Sequence, residues 1–282
     1  MASITVVGSV NVDFVVRVPR LPQPGETVTD GRFSKHPGGK GANQALAARR
    51  LGASVSLVAV VGDDDAADTA LSLLEKEGVD LRRCWAHETL PTGIASIVVA
   101  ESGENLIAVA PGANRALTAD VLDLRSDENV ITQLEIPVET VVAASHVTAG
   151  FFCLNAAPAR PVPIELLRRA DLVVVNEHEH AALGDDLGEC RGLVALTLGA
   201  AGASLYRHGR QVARAVPPPV DTLDTVGAGD CFVAALTVGI LDGLAAERAL
   251  TRAVTAAALA TTREGAQPSL PTAAEVDVRL RR

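Results

Sequence analysis

Short apolar runs alternate with segments of helical spacing through the second half of the chain. From about Asp120 onwards, NVITQLE, DLVVVNE and LVALTLG are strand-like, whereas PVETVVAAS, the segment after Gly229 and residues 245–262 have helical patterns. Alternating strands and helices produce a mostly parallel sheet with helices on both faces, because each crossover helix packs back onto the sheet. The sequence therefore predicts an α/β fold.

The first half of the chain adds two segments that depart from this alternation. SITVVGS and SVSLVAVVGDD are predicted buried strands, and GANQALAARRLGA and DAADTALSLLEKEGV are predicted helices that end at Gly52 and Gly78. The segments near 12–36 and 92–111 instead have antiparallel patterns, the second with a Ser-Gly hairpin turn. We expect them to form a small separate sheet, a lid on a single domain spanning 1–282.

Composition and charge disfavour several classes of function. The net charge of −9 argues against a general nucleic-acid or anionic-membrane binder, because both require a basic face. The most apolar stretch, residues 231–241, is shorter than the roughly 20 residues that span a bilayer. The N-terminus lacks the features of a signal peptide, and the four cysteines form no CxxC pair. We therefore expect a cytoplasmic protein without nucleic-acid or membrane partners.

The stretch DTVGAGD lies directly before a long apolar run. Gly227 and Gly229 permit positive φ angles and close approach of the backbone, and the N–H groups of Gly227, Ala228 and Gly229 would form an anion site at a helix N-terminus. Asp230, held ionised by the helix dipole, would be placed to take a proton from a hydroxyl that attacks a bound phosphate. A helix cap with a first-turn acid is the alternative for this motif alone.

A second glycine-rich loop, HPGGKGANQA, also runs into a predicted helix. It lacks the spacing of a Walker A loop, and VVGSVNVD lacks the GxGxxG of a dinucleotide-binding fold. Asn43 supplies both a donor and an acceptor. Asn11 and Asp13 share one face after the first strand, and together with Asn43 they are suited to bind vicinal hydroxyl groups. A role in turn formation is the alternative for these polar residues.

Nine motifs together resemble the ribokinase branch of the PfkB sugar-kinase family. They are GSVNVD, PQPGETV, GGKGANQA, PGAN, NAAPAR, VVNEHE, TLGAAG, DTVGAGD and REGAQPS, in the family's order and over nearly the whole chain. The resemblance implies ATP-dependent phosphorylation of a ribose-like sugar at its terminal hydroxyl. It also implies a Rossmann-like ribokinase fold whose β lid often pairs into a homodimer.

The resemblance also assigns roles to individual residues. Asp230 would be the catalytic base, beside the anion hole of Gly227, Ala228 and Gly229. The sugar would contact Asn11, Asp13, Gly39, Lys40, Asn43, Glu135 and Asp230. ATP would contact Asn176, Thr197, Gly199, Gly202 and Gly229.

Two metal ions are implied by the same resemblance. Glu179 belongs to an NxxE motif that is linked indirectly to Mg2+ and phosphate. A monovalent-cation site, usually for K+, would use Asp224, Val226, Ala260, Arg263, Gly265 and Ser269. Three features depart from the family pattern: the short segment 176–197, Cys231 after the base, and Val254 near the expected adenine position. A metal site at His178 and His180 is disfavoured, since their spacing is not that of HExxH.

The acceptor is left open by these residues. A nucleoside kinase needs an apolar or aromatic slot for the base, and five Phe, one Tyr and one Trp favour a free sugar instead. Deoxyribose, fructose or adenosine are alternative acceptors. A non-catalytic sugar-binding relative is a further alternative, although such a protein has no need of Asp230.

Overall fold

The computed structural model describes residues 2–281, and within them the chain forms thirteen strands and nine α-helices. The strands are β1 Ser3–Val7, β2 Asn11–Val18, β3 Arg32–Gly38, β4 Ser54–Gly62, β5 Asp80–His87, β6 Gly93–Ala100, β7 Asn105–Ala110, β8 Val130–Thr132, β9 Phe152–Asn155, β10 Leu172–Asn176, β11 Leu193–Thr197, β12 Ala203–Arg207 and β13 Arg210–Ala215. The helices are α1 Lys40–Arg50, α2 Asp65–Lys76, α3 Val138–Val147, α4 Ile164–Arg169, α5 Glu177–Leu183, α6 Ala228–Leu241, α7 Ala246–Ala260, α8 Ala266–Ser269 and α9 Ala273–Leu280.

The central sheet has the order β13-β12-β11-β10-β9-β8-β1-β4-β5 within the described part of the chain. The strands from β11 to β5 along this order pair in parallel, and β12 and β13 close one edge as an antiparallel hairpin. The predicted mostly parallel sheet is therefore present. Its carboxyl ends, where ligands bind in open α/β sheets, lie at one edge of the sheet.

Apolar residues cover both faces of this sheet. Successive residues of a strand point to opposite faces, and accordingly Val6 packs in the cluster that contains Leu46 of α1 and Leu236 of α6. Its neighbour Val7 packs in the second cluster with Val141 of α3. This packing fixes the positions of α1 and α6 on the sheet, and both helices begin beside the carboxyl ends of the strands.

A second sheet has the order β3-β2-β6-β7 and corresponds to the two segments with antiparallel patterns. β2 pairs antiparallel with β3 but parallel with β6, and β6 and β7 form the predicted hairpin. Asp13 on β2 is the register partner of His36 on β3 and of Ala95 on β6. Because β2 begins shortly after β1 ends, this sheet begins beside the carboxyl end of β1. We call these four strands the small sheet.

The structure also contains elements that the sequence patterns did not predict. β5, β9 and the β12–β13 hairpin extend the central sheet, and the hairpin makes it mixed instead of wholly parallel. Between residues 176 and 197 the chain forms only α5 and a short 3-10 turn before β11. No helix within residues 2–281 is long and apolar enough to cross a membrane.

Candidate active site

Asp230 lies in the first turn of α6, is buried, and accepts hydrogen bonds from two side-chain amides of α1. Asn43 Nδ2 donates to Asp230 Oδ2 at 2.9 Å, and Gln44 Nε2 donates to Asp230 Oδ1 at 2.9 Å. Each carboxylate oxygen therefore has one amide donor. The glycine-rich loop and the DTVGAGD turn, far apart in sequence, meet at this carboxylate.

The groups around Asp230 act on its pKa in opposite directions. Burial raises the pKa of Asp230, and the neighbouring Glu135 acts in the same direction. Lys40 and the two amides lower this pKa because they stabilise the ionised carboxylate. The net direction is upward, which suits a general base, because such a group works best when its pKa approaches the operating pH.

Two amide oxygens at this site have no hydrogen-bond partner among residues 2–281. They are Asn43 Oδ1 and Gln44 Oε1, and both atoms are buried. Buried polar atoms are normally satisfied, and Gln44 is wholly closed to solvent whereas Asn43 is not, so the unsatisfied Asn43 Oδ1 is the acceptor that a donor from outside the chain could reach. A sugar hydroxyl that donates to Asn43 Oδ1 fits this requirement.

Asp13 approaches the same site from β2. Burial raises the pKa of Asp13 to about 7, and the carboxylates of Glu135 and Asp230 add to this while Lys40 opposes it. Gly38 leaves the space that the Asp13 side chain needs, because a Cβ at position 38 would lie 2.3 Å from Asp13 Oδ2. Asp13 is therefore a buried hydrogen-bond acceptor whose ionised form is disfavoured by burial and by the neighbouring carboxylates.

Asn11 is fixed by an asparagine that follows β7. Asn114 Nδ2 donates to Asn11 Oδ1 at 2.8 Å, and the same side chain accepts from the Val10 N–H and donates to the Val10 carbonyl. Gly93 permits this pair, since a Cβ there would lie 2.2 Å from Asn11 Oδ1. The Asn11 oxygen is thus occupied within the protein, which leaves the Nδ2 group to contact a ligand.

Glu135 follows β8 and links two other loops of the site. Its Oε2 accepts from Ser9 Oγ at 2.6 Å and from the Lys40 N–H at 3.1 Å, while Lys40 Nζ lies 3.8 Å from Oε1. Burial lowers the pKa of Lys40, but Asp230, Glu135 and Glu179 together raise it above its usual value. Lys40 is therefore a cation surrounded by carboxylates at the centre of the site.

The DTVGAGD turn enters α6 through a left-handed glycine. Gly227 has φ +81°, and a Cβ there would lie 2.9 Å from the Ala266 Cα, so this position requires glycine. The space above Gly229 is open. The Ala228 N–H donates to the Thr225 carbonyl at 3.3 Å and is not a free donor, contrary to the expectation for three free N–H groups.

The expected nucleotide residues lie at the ends of β10 and β11. Asn176 and Thr197 are register partners in the parallel pair. Asn176 begins α5 with a capping box, in which the Glu179 N–H donates to Asn176 Oδ1 and the Asn176 N–H donates to the Glu179 carboxylate. Asn176 Nδ2 also donates to this carboxylate. Burial raises the pKa of Glu179, and Asn176 and Lys40 oppose this.

The TLGAAG turn follows directly after β11. Gly199 and Gly202 have φ angles of +54° and +92°, and the Gly202 N–H donates to the Gly199 carbonyl at 3.1 Å. A Cβ at Gly202 would lie 2.0 Å from the Ala215 carbonyl oxygen, whereas the space at Gly199 is open. The backbone at Gly199 is therefore accessible to a ligand beside the end of the strand.

The residues expected around a monovalent cation are also drawn together. Asp224 accepts from the Val226 N–H and the Gly265 N–H, each at 3.0 Å. The Asp224 N–H in turn donates to Thr261 at the end of α7. The Ser269 hydroxyl donates to the Ala266 carbonyl at 2.8 Å. Thr261 and Gly265 are thus joined to Asp224 of the DTVGAGD turn, whereas the Arg263 side chain pairs with Glu275 of α9.

Asp224 supplies the carboxylate of the expected cation site, and its two oxygens each accept one backbone N–H. One further group bears on the charge of the site, because Arg17 of the small sheet places Nη2 3.5 Å from Asp224 Oδ2. The His178 and His180 side chains are exposed, and the described residues contain no cluster of three or more His, Cys, Asp or Glu suited to a metal.

A cleft of about 540 Å³ lies between the small sheet and the DTVGAGD turn. Asp13, Arg17 and Ile97 line it on the side of the small sheet, and Asp224 and Gly265 line it on the opposite side. The Asp13 end of this cleft adjoins the buried acceptor groups, and the Asp224 end adjoins the start of α6. Asp13 is the residue of the expected sugar site that lines this cleft, and Asp224, Val226 and Gly265 are the residues of the expected cation site that line it.

A model of pfkB family carbohydrate kinases matches residues 1–273. The chain belongs to the pfkB family of carbohydrate kinases. Among curated relatives of this kinase, the ribokinase of Bacillus subtilis (strain 168) is 38% identical over 292 residues, covering 98% of this chain and 99% of the relative.

Solved structures agree with this assignment. A ribokinase from Thermotoga maritima superposes with a TM-score of 0.91 at 31% identity, and the match covers 100% of both chains. Arabidopsis thaliana ribokinase, complexed with ribose and ATP, superposes with a TM-score of 0.86 at 28% identity over 100% of both chains. The resemblance to the ribokinase branch and the predicted fold class are thereby confirmed.

Three residues of this kinase's site were not among the sequence-predicted residues. Ser9 connects Glu135 to the glycine-rich loop, Asn114 holds Asn11, and Gln44 holds Asp230. Ser9 and Gln44 lie inside quoted motifs, GSVNVD and GGKGANQA, and Asn114 ends PGAN. The available signal was that each of these residues lies next to predicted site residues in the sequence. The residue that each contacts lies more than 100 positions away, so no local pattern indicated the contact.

Proposed function

We propose that this kinase transfers the γ-phosphoryl group of ATP to the terminal hydroxyl of D-ribose, giving ribose 5-phosphate and ADP. The observation that carries the proposal is the buried Asp230 carboxylate, held by Asn43 and Gln44 and placed at the start of α6. Around it lie the hydroxyl-binding groups Asn11 and Asp13. A cluster of amides and carboxylates suits several hydroxyl groups better than it suits the apolar face of a nucleobase.

In the proposed reaction, Asp230 accepts the proton of the terminal hydroxyl while that oxygen attacks the γ-phosphorus and displaces ADP. The N–H groups of Gly227 and Gly229 at the start of α6 stabilise the negative charge on the transferring group. Lys40, which is surrounded by carboxylates, supplies a positive charge between acceptor and phosphate. Positioning and charge neutralisation supply most of the catalysis in phosphoryl transfer, so these groups suffice.

ATP, Mg2+ and K+ are proposed as the small molecules and ions of this reaction. Thr197, Gly199 and Gly202 supply the nucleotide-binding turn, and Asn176 orients Glu179. Mg2+ neutralises phosphate charge when bound, and Glu179 would hold it indirectly through water. Asp224 and Ser269, with the carbonyl groups of the surrounding loop, would hold K+.

The small sheet is proposed to act as the lid of the cleft. Its residues Arg17 and Ile97 line the cleft, so closure of this sheet over the sugar would exclude water and suppress ATP hydrolysis. Apolar side chains on the same sheet are exposed, namely Phe33 at 63%, Leu106 at 53%, Ile107 at 56% and Val109 at 49%. A homodimer that pairs two lids would cover them.

A cytoplasmic location is part of the proposal. All four cysteines are free thiols, and three of them are buried. Unpaired thiols together with a requirement for ATP fit a reducing compartment.

The proposed function is tested by ADP release from purified protein with Mg-ATP and K+ against ribose, 2-deoxyribose, fructose, adenosine and cytidine. We expect ribose to give the highest kcat/KM, and replacement of K+ by Na+ at equal ionic strength to lower it. A higher kcat/KM for another acceptor would replace ribose as the substrate. Ribose binding by calorimetry without ADP release from any acceptor would favour the non-catalytic alternative.

A further inference from the structure

Gln44 is a fully buried polar residue on α1, one position beyond Asn43. Its Nε2 donates to Asp230 Oδ1 at 2.9 Å, and this is the one side-chain hydrogen bond of Gln44 to another described residue. Its other polar atom, Oε1, has no partner among residues 2–281. Because a buried amide costs free energy unless its bonds are made, the contact with Asp230 is the interaction that accounts for a glutamine here.

The two amides that hold Asp230 differ in what else they contact. Asn43 Nδ2 binds Oδ2 of the carboxylate, while its buried Oδ1 remains available for a hydroxyl of the sugar. Gln44 binds the opposite oxygen and is wholly closed to solvent. Two donors on two oxygens fix the plane of the carboxylate, and each oxygen keeps a second lone pair for the acceptor hydroxyl.

We propose that Gln44 is a positioning residue for the catalytic base: it fixes the orientation of Asp230 and stabilises its ionised form without contacting the sugar. This inference rests on the proposed function, since it takes Asp230 as the base. It separates the two neighbours on α1, because Asn43 serves both substrate and base whereas Gln44 serves the base alone.

The charged groups around Asp230 set the direction of the expected pH effect. Lys40 lowers the pKa of Asp230, whereas Glu135 raises it, and Asp13 and Glu179 lie in the same electrostatic cluster. Gln44 lowers this pKa through its hydrogen bond. Loss of the amide therefore raises the pKa of the base, and the acidic limb of the kcat/KM profile moves to higher pH.

The test compares Gln44→Met, which keeps the length of the side chain but removes the donor, with the wild-type kinase and with Thr237→Val. Thr237 is buried on α6, about two turns beyond Asp230, and serves as a control for repacking. We expect Gln44→Met to lower kcat by about ten- to a hundredfold, the effect of one hydrogen bond to a charged group. The KM for ribose should change by less than about twofold, and the acidic limb should move to higher pH.

A second variant covers the case in which Gln44→Met does not fold. Gln44→Glu preserves the shape of the side chain but places a second carboxyl group beside Asp230, so the acidic limb should shift upward more than in Gln44→Met. Unchanged kcat and pH profiles in the folded Gln44 variants, with an inactive Asp230→Asn enzyme, would overturn the positioning role and leave the proposed function intact. An active Asp230→Asn enzyme would overturn both.

Discussion

Asn43 Nδ2 donates a hydrogen bond of 2.9 Å to Asp230 Oδ2, although the two residues lie 187 positions apart in the chain. The bond joins the first turn of α1 to the first turn of α6. Both helices are packed in the same apolar cluster, so packing fixes the position of the glycine-rich loop relative to Asp230. The predictions below concern residues that set this arrangement or depend on it.

Asp13→Asn should stabilise the protein in a pH-dependent way. Burial raises the pKa of Asp13 from 3.8 to about 7, so between these values the folded protein binds more protons than the unfolded chain. The carboxylate therefore opposes folding increasingly as the pH rises, and its full cost is present above about pH 7. We expect the Tm of Asp13→Asn to exceed that of wild type at pH 8, and the difference to shrink towards pH 5.

The same substitution should weaken ribose binding, because a neutral amide replaces a charged acceptor. The expected rise in the ribose KM is roughly ten- to a hundredfold. Thermal unfolding at both pH values and steady-state kinetics measure the two effects. A Tm difference that is independent of pH would contradict the assignment of a disfavoured charge to Asp13.

Gly38→Ala should impair sugar binding through Asp13. The added Cβ would lie 2.3 Å from Asp13 Oδ2, so the carboxylate must leave its position. We expect the KM for ribose to rise about tenfold or more, as for a lost charged hydrogen bond. Gly188→Ala is the matched control, since the space around Gly188 is open and its effect on KM should be within about twofold. Equal kinetics of the two variants would contradict this account.

Asn114→Ala should lower both stability and sugar affinity. The change removes hydrogen bonds to Val10 and to Asn11 Oδ1, all of them buried. Buried groups left unpaired cost about 1–3 kcal/mol each, so the free energy of unfolding should fall by several kcal/mol at most. The ribose KM should rise as Asn11 loses its fixed orientation. Denaturant unfolding and kinetics check this, and an unchanged KM would show that Asn114 does not position Asn11.

Local patterns predicted the regular elements of the fold but not all of its edges. DLRRCWAH was not predicted as a strand because Arg82 and Arg83 interrupt its apolar character, yet Arg83 is paired with Glu128 at 2.9 Å and β5 closes the sheet. The β12–β13 hairpin had a local signal in the dipeptide His208–Gly209, whose φ angles of 49° and 71° suit a tight hairpin turn. The pairing of Arg83 with Glu128 depends on tertiary structure, whereas Gly209 is a turn signal that the sequence itself contains.

The residues of the candidate site likewise fall into those that local motifs indicate and those whose contacts depend on tertiary packing. Motifs located Asp230, Asn43 and Asp13, because glycine-rich turns and clustered polar residues are local features. The amide of Gln44 reaches Asp230 across 186 positions, and no local pattern specifies that contact. The paired role of Asn43 and Gln44 follows only from the packing of α1 against α6.

The measurement that tests the central claim most directly compares Asp230→Asn with wild type, using ribose and Mg-ATP for turnover and calorimetry for ribose binding. The amide preserves the shape of the carboxyl group but cannot accept the proton, so we expect kcat to fall by roughly a hundred- to ten-thousandfold. The Kd for ribose should remain within about threefold, because the hydroxyl-binding groups Asn11, Asp13 and Asn43 are unchanged. Turnover at the wild-type rate in Asp230→Asn would contradict the assignment of this residue as the base.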